Sequence, residues 1–293
     1  MDINNIREET KQLREKLTDI PLRFDTEVLI PTLAELISFA VRKCLANKKN
    51  PAIAFSGGVD STLIAFIAKQ ANPHIKLYNA SVGNAHDKEW AEKIARHFSW
   101  DVTYGNHTPE EAEKIIHIVM TLVPNPNVVS IGVACPEYVV MSLAQEDGCD
   151  VVLGGLGSEE IFAGYERHKE ADDVHDECWK GLAGLYERDI VRDVAISKHF
   201  GIPWACPFLD KKVVTYAMHI APELKISETE KKIILRKVAV HMGLPEAYAY
   251  RPKKAAQYGS GFDKILGKLA KAKGLQKHEY ITYVCNSQNR STH

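Results

Sequence analysis

The six cysteines of this 293-residue chain, at positions 44, 135, 149, 178, 206 and 285, include no CxxC pair. That leaves no zinc-knuckle or dithiol spacing to read. The twelve histidines form neither HxH nor HExxH, so no metalloprotease-type centre is written in the chain. Scattered thiols of this kind are those of buried free cysteines in a reducing compartment. A formal net charge of −1 is too small to draw the whole molecule towards nucleic acid or anionic membrane. No window reaches the ~18 apolar residues of a membrane helix. The first residues, MDINNIREETKQLREKL, are charged throughout and have no apolar h-region. These absences predict a soluble, cytoplasmic protein with no membrane attachment. Repeats and low-complexity linkers are also missing.

What is present is an ordinary globular composition, 45% hydrophobic and 26% charged, with the charge unevenly spread. Residues 251–293 carry nine Lys and Arg against Asp263 and Glu279, a local balance of +7. Such a stretch is either a solvated face or a tail that approaches phosphates. Three regions are expected: a helical segment over 1–48, a central domain over 49–265 and a basic polar tail over 266–293. Residues 1–18 read as an amphipathic helix. Pro31 suits a first helical position, with Leu33, Leu36, Ile37, Val41 and Leu45 forming a 3.6-period stripe. Short apolar runs at 52–55, 75–82, 101–104 and 150–153 read as strands. Helices are predicted near 60–70, 86–98, 108–122, 135–145 and 213–221, with Thr108-Pro109-Glu110-Glu111 as a capped start. Ser227–Glu230 reads as a capping box that places Lys231, Lys232 and Arg236 on the opening turns of a further helix. The alternation predicts an α/β fold, a parallel sheet with helices on both faces and extra N- and C-terminal helices.

The chain is organised around residues 51–70, PAIAFSGGVDSTLIAFIAKQ. A buried strand runs into the tight loop Ser56-Gly57-Gly58-Val59, and a helix begins near Asp60-Ser61. Two glycines allow close backbone approach to a ligand, and a helix N-terminus aims N–H groups and partial positive charge at the same spot. Ser56 and Ser61 add hydroxyls. The combination suits phosphate, and pyrophosphate in particular, although a plain strand–turn–helix corner also favours Gly, Asp and Ser. No Gly-Lys-Ser/Thr follows, which excludes a Walker-type loop. SGGVDS resembles the pyrophosphate loop of the ATP-pyrophosphatase (PP-loop) superfamily, the adenine nucleotide alpha hydrolase-like enzymes. The resemblance implies ATP cleaved between its α and β phosphates. It makes Asp60 a catalytic residue and magnesium ligand, with Ser56, Gly57, Gly58 and Ser61 on the pyrophosphate.

A second glycine-rich string, LGGLGSEEIFAGY, covers residues 153–165. Alone it is an acidic first helical turn, favourable on dipole grounds. With SGGVDS it resembles the SGEGSDE…GGY segment of the synthetase domain of asparagine synthetase. The likeness extends through Cys206-Pro207-Phe208-Leu209-Asp210, the EKKIILRKVA segment and Arg251-Pro252-Lys253-Lys254, over about residues 30–265. It implies ATP and Mg²⁺ as cofactors and Asp60 with Glu159 as a carboxylate pair for the metal. It further implies Val82, Gly83, Gly155 and Gly157 along the nucleotide, and Lys232 as the catalytic lysine that stabilises charge on the α-phosphate.

Two departures accompany the likeness. The family's glutaminase nucleophile would be a cysteine at position 2, where this chain has Asp2, so nitrogen would come as free ammonia or from a separate glutaminase partner. The glutamate of the family's G-E-G is Leu156 here, and leucine can neither accept a proton nor pair with an ammonium group. Ala163-Gly164-Tyr165-Glu166-Arg167-His168 and the Gln257-Tyr258-Gly259-Ser260 string look closer to the asparagine-synthetase-domain-containing proteins. The expectation is an ATP-dependent, AMP-forming C–N ligase acting on a small-molecule carboxylate or carbonyl. An RNA-modifying PP-loop enzyme and a nucleotide-binding protein without catalysis are the alternatives, and a homodimer is left open.

Overall fold

A computed structural model describes residues 5–252 and 256–291. Lys253 and Lys254 and the Gln257 side chain lie outside what is described. Five strands form one parallel sheet: β1 (Pro51–Ala54), β2 (Lys76–Val82), β3 (Thr103–His107), β4 (Val151–Leu153) and β5 (Trp204–Ala205), in the order β3-β2-β1-β4-β5. Helices α1 (Ile6–Leu17) and α2 (Thr26–Leu45) precede it. Between the strands run α3 (Val59–Ala71), α4 (His86–Phe98), α5 (Pro109–Leu122), α6 (Val128–Glu146), α7 (Ser158–Ile161), α8 (Arg167–Glu170), α9 (Val174–Ala183) and α10 (Val191–Phe200). After β5 come α11 (Lys211–Ala217), α12 (Ile233–His241), α13 (Glu246–Ala249), α14 (Ala256–Gly259), α15 (Phe262–Ala272) and α16 (Lys277–Ser291).

Side chains of the strands alternate between two cores, as the period of two requires. Ile53, Leu77, Val151 and Leu153 face the core shared with α2, α3 and α12, while Ala52, Tyr78, Ala80 and Val152 face the one shared with α5, α6 and α15. The chain lays down β1, β2 and β3 in one direction and then returns to place β4 on the other side of β1. The loops after β1 and β4 therefore open a crevice at the point where the order reverses. Ligands of open α/β sheets bind there.

The α/β expectation holds, with local differences that have clear causes. α2 starts at Thr26, where Asp25 accepts from the Glu27 amide, so Pro31 lies inside the helix rather than at its start. α6 reaches back to Val128 because Asn127 and Ser130 form a capping box. The extended helix is long and apolar enough by composition to cross a membrane, with a mean hydropathy of 1.4, contrary to the expectation that no window would be. It packs instead against β1, β2, β3 and α10. The third strand is shifted to 103–107, and β5 is only two residues long, too short to leave a pattern. The stretch expected as a polar tail forms α16 and most of α15, whose Ile265, Leu266, Tyr280 and Ile281 are buried in the second core. Residues of 1–48 likewise enter the first core through Ile6, Leu13, Leu33 and Ile37.

Candidate active site

The first glycine loop turns because of Gly57. Its φ is +71°, and a Cβ there would stand 2.8 Å from the Ala91 backbone nitrogen of α4. No side chain caps the N-terminus of α3, so its first amides are left without a side-chain partner. Ser56 and Ser61 brace the loop from within. Their hydroxyls lie 3.2 Å apart, Ser56 accepts from the Gly58 amide at 3.3 Å, and Ser61 donates to the Gly58 carbonyl at 3.2 Å.

At the head of α3 stands Asp60, buried and directed at Lys232. The lysine Nζ donates to Asp60 Oδ1 at 2.8 Å and Oδ2 at 2.7 Å, and to Ser158 Oγ at 3.0 Å. It also pairs with Glu159 Oε1 at 2.9 Å. Lys232 is 1% exposed, and burial pulls its ammonium below the ordinary lysine range, with Asp60 opposing that shift. Three segments far apart in sequence thus meet on one ammonium group.

How Lys232 arrives there differs from expectation. Ser227 does accept from the Glu230 amide at 3.0 Å, but the pair closes a turn whose ends bridge Ile226 to Lys231. The helix starts only at Ile233, and Lys232 is its N-cap, in the left-handed region at φ 58°. That unusual backbone for a lysine turns the side chain inward rather than along the helix surface. Lys231, one residue earlier, points out and pairs with Glu166.

In the second loop the two glutamates part company. Glu159 faces Lys232, whereas Glu160 is fully buried, accepts from the Tyr165 hydroxyl at 2.9 Å and pairs with Arg188. Burial pushes the Glu160 carboxyl up, and Arg188 opposes it. The glycines here make room for side chains. A Cβ on Gly155 would stand 3.0 Å from Asp60 Cβ, and one on Gly157 only 2.4 Å from Leu209 Cδ2. Gly157 thus seats the Pro207–Leu209 turn, and Gly155 packs on Asp60. One on Gly164 would overlap Glu159 Oε2 at 1.7 Å. At the end of β2, the Val82 amide donates to the Ser260 carbonyl and the Gly83 amide to that of His107, so neither amide is a free donor.

Sequence reasoning gave Arg251 no role of its own, yet it closes the first loop. The guanidinium is 2% exposed at residue level, lies 3.4 Å from the Ser56 carbonyl and pairs with Asp87 Oδ1 at 3.2 Å. It sits beside the place a Gly58 side chain would take. The turn Arg251-Pro252 was its only signal. No group of three or more His, Cys, Asp or Glu converges as a metal cage among the described residues. Asp60, Glu159 and Ser158 nevertheless present oxygens around one cation, the Lys232 ammonium. That donor set fits Mg²⁺, which commonly takes one or two protein carboxylates and completes its shell with substrate phosphates and water.

A family model described as asparagine synthase matches residues 32–180 and 169–282. The chain belongs to the asparagine synthase family. A protein of Methanocaldococcus jannaschii, provisionally named glutamine-hydrolysing asparagine synthetase 1, is 34% identical over 263 residues, which cover 77% of this chain and 48% of the relative. Asparagine synthetase B of Escherichia coli is 26% identical over 252 residues, 80% of this chain and 45% of that protein. This asparagine synthase family chain therefore spans about half the length of the curated relatives it matches. Among solved structures, an NMN synthetase of Francisella tularensis aligns over 92% of this chain and 96% of that chain, at 12% identity and a TM-score of 0.44.

Proposed function

We propose that the chain is an ATP-dependent C–N ligase that activates a carboxylate or carbonyl oxygen as its adenylate and releases pyrophosphate. The observation that carries this reading is the buried Lys232 ammonium held by Asp60, Glu159 and Ser158 at the mouth of the SGGVDS loop. A buried cation is costly unless it is paired; Asp60 and Glu159 hold the Lys232 ammonium in place, where it would meet the negative charge that an α-phosphate gathers when an oxygen attacks it.

The residues then divide the work. The loop amides and the hydroxyls of Ser56 and Ser61 hold the β and γ phosphates as the leaving pyrophosphate. Lys232 donates hydrogen bonds to the oxygens of the α-phosphate as they gain charge, a stabilisation worth far more in a dry crevice than in water. Arg251 fixes the loop from behind through the Ser56 carbonyl. Asp60 and Glu159 would hold Mg²⁺, which when bound neutralises phosphate charge. An amine, from free ammonia or a partner protein, then displaces AMP from the activated carbon. Holding both reactants in one crevice removes much of the entropic barrier.

The test is product analysis. Purified protein is incubated with Mg-ATP, a panel of amino and dicarboxylic acids and ammonia, and the nucleotides are separated. The reading expects AMP and pyrophosphate in equal amounts, with loss of both in Asp60→Ala. ADP with inorganic phosphate, or AMP formation untouched by Asp60→Ala, would refute it.

A further inference from the structure

The basic stretch that closes the sequence splits its residues between two faces. α15 turns Phe262, Ile265, Leu266 and Ala270 into the second core, while Lys264, Lys268 and Lys271 are exposed. Spacings of four and three residues set those lysines in one row along the helix, spread over about 10 Å. Lys273 is exposed at the C-terminal end of the same helix. None of the four forms an ion pair among the described residues. The acids of the stretch are engaged elsewhere: Lys277 pairs with Asp263 at 2.6 Å, and Glu279 accepts from the Gln276 amide at 2.7 Å. The row therefore keeps its positive charge, in a chain whose formal net charge is −1.

The row starts beside the crevice. α15 begins against the end of β2, where the Ser260 carbonyl accepts from the Val82 amide at 2.9 Å and a Cβ on Gly261 would stand 3.1 Å from the Val82 carbonyl oxygen. β2 pairs with β1, the strand that feeds the SGGVDS loop. Gly259 packs so closely on Asp87 that a Cβ would fall 2.1 Å from Oδ2, and Asp87 pairs with Arg251, which lies against the Ser56 carbonyl. The residue before Gly259 is Tyr258, 57% exposed. An open aromatic ring thus stands at the crevice end of the row of lysines.

A strand of nucleic acid laid along such a row exchanges its condensed counterions for the ammonium groups. Its phosphates come at a repeated spacing, and every base has a face that stacks on a tyrosine ring. The apolar side of α15 is already in the core, so none of it is left to enter a bilayer beside the lysines. We infer that α15 is a docking surface for single-stranded nucleic acid, with phosphates on Lys264, Lys268 and Lys271 and a base stacked on Tyr258. The surface goes beyond the ligase reading and stands without it.

The test is fluorescence anisotropy of the full chain with a labelled oligouridylate of about 16 nucleotides, over a series of salt concentrations. Affinity is expected to fall with salt, at a slope of log Kd on log salt of about 2 for three phosphate contacts. The triple variant Lys264→Glu, Lys268→Glu, Lys271→Glu should lose at least tenfold in affinity and most of the slope. Tyr258→Ala should lose about tenfold and keep the slope. The same charge change at the exposed Lys11, Lys16 and Lys48 should leave the affinity within about twofold. No binding by the wild type, a flat salt response, unchanged affinity in Tyr258→Ala, or equal loss in the two triple variants would overturn the inference. So would phosphatidylserine vesicles whose binding depends on the row while that of the oligonucleotide does not. Titrating the magnesium complex of α,β-methylene-ATP into the same samples keeps the two readings apart. Nucleotide binding without oligonucleotide binding removes only the docking surface, and the converse removes only the ligase.

Discussion

The two glycine loops look alike in sequence and do opposite things. In SGGVDS, Gly57 turns the backbone at a positive φ and packs it against α4. In LGGLGSEEIFAGY, the glycines at 154, 155, 157 and 164 make room for the side chains of Trp204, Asp60, Leu209 and Glu159. The first loop is emptied so that backbone can turn against backbone; the second is emptied so that its own Glu159 and side chains from three other places can pack on it. A glycine-rich motif therefore specifies proximity, and what comes close is decided by the tertiary structure.

The sharpest way to break this division of labour is at the residue both loops share. Lys232→Met keeps the length of the side chain and removes the ammonium that joins Asp60 to Glu159. AMP formation should fall by about 10² to 10³ in kcat, measured by initial rates at saturating Mg-ATP. The next effect in size concerns fit. Gly57→Ala places a methyl 2.8 Å from backbone at a φ of +71°, combining overpacking of ~1–3 kcal/mol with ~1–2 kcal/mol of left-handed strain. Gly164→Ala meets Glu159 and Lys232 side chains instead, so denaturant unfolding should show a smaller loss, about 1–3 kcal/mol, while the proposed activity should fall sharply because both side chains must move.

A pH effect sharpens the second loop alone. His168 is buried, accepts from the Tyr165 amide at 3.0 Å and stacks on the Tyr165 ring. Burial and then Arg167 pull its pKa down to about 4. An unfolded histidine takes its proton near the ordinary value of 6.5, so between those values the unfolded chain holds more protons. Stability should therefore drop as pH falls through that window, by up to about 1.4 kcal/mol per pH unit. Chemical unfolding of His168→Gln should show a flatter profile. The smallest effect is expected at Gly83, which shares a positive φ of +58° with nothing within 4 Å of a Cβ. Gly83→Ala should cost only the backbone strain, about 1–2 kcal/mol, and leave ATP cleavage in place.

Much of this was legible in the sequence where the signal is local. Apolar runs ending in glycine gave four of the five strands, and Thr108 caps α5 with Glu111 as its spacing implies. The grouping of Asp60, Glu159 and Lys232 was reached through resemblance, since no local pattern links positions that far apart. What stayed hidden was long-range or very short. β5 has two residues, and its Trp204 matters only because Gly154 lies beneath it. Lys232 was placed on a helix because Ser227 and Glu230 imitate a cap, and its left-handed backbone follows from packing that no propensity encodes. The lysines after 262 suggested a solvated tail, but the apolar residues between them, at helical spacing, belong to the core.

The central claim is that the SGGVDS loop and Lys232 together form the triphosphate site of ATP, the loop on the β and γ phosphates and Lys232 on the α-phosphate. It can be tested without knowing the acceptor, by titrating the magnesium complex of α,β-methylene-ATP into the wild-type chain and into Lys232→Met. The account predicts saturable binding to the wild type, competed by pyrophosphate, and at least a tenfold loss in the variant. Absence of binding, or equal binding to the two proteins, would contradict it.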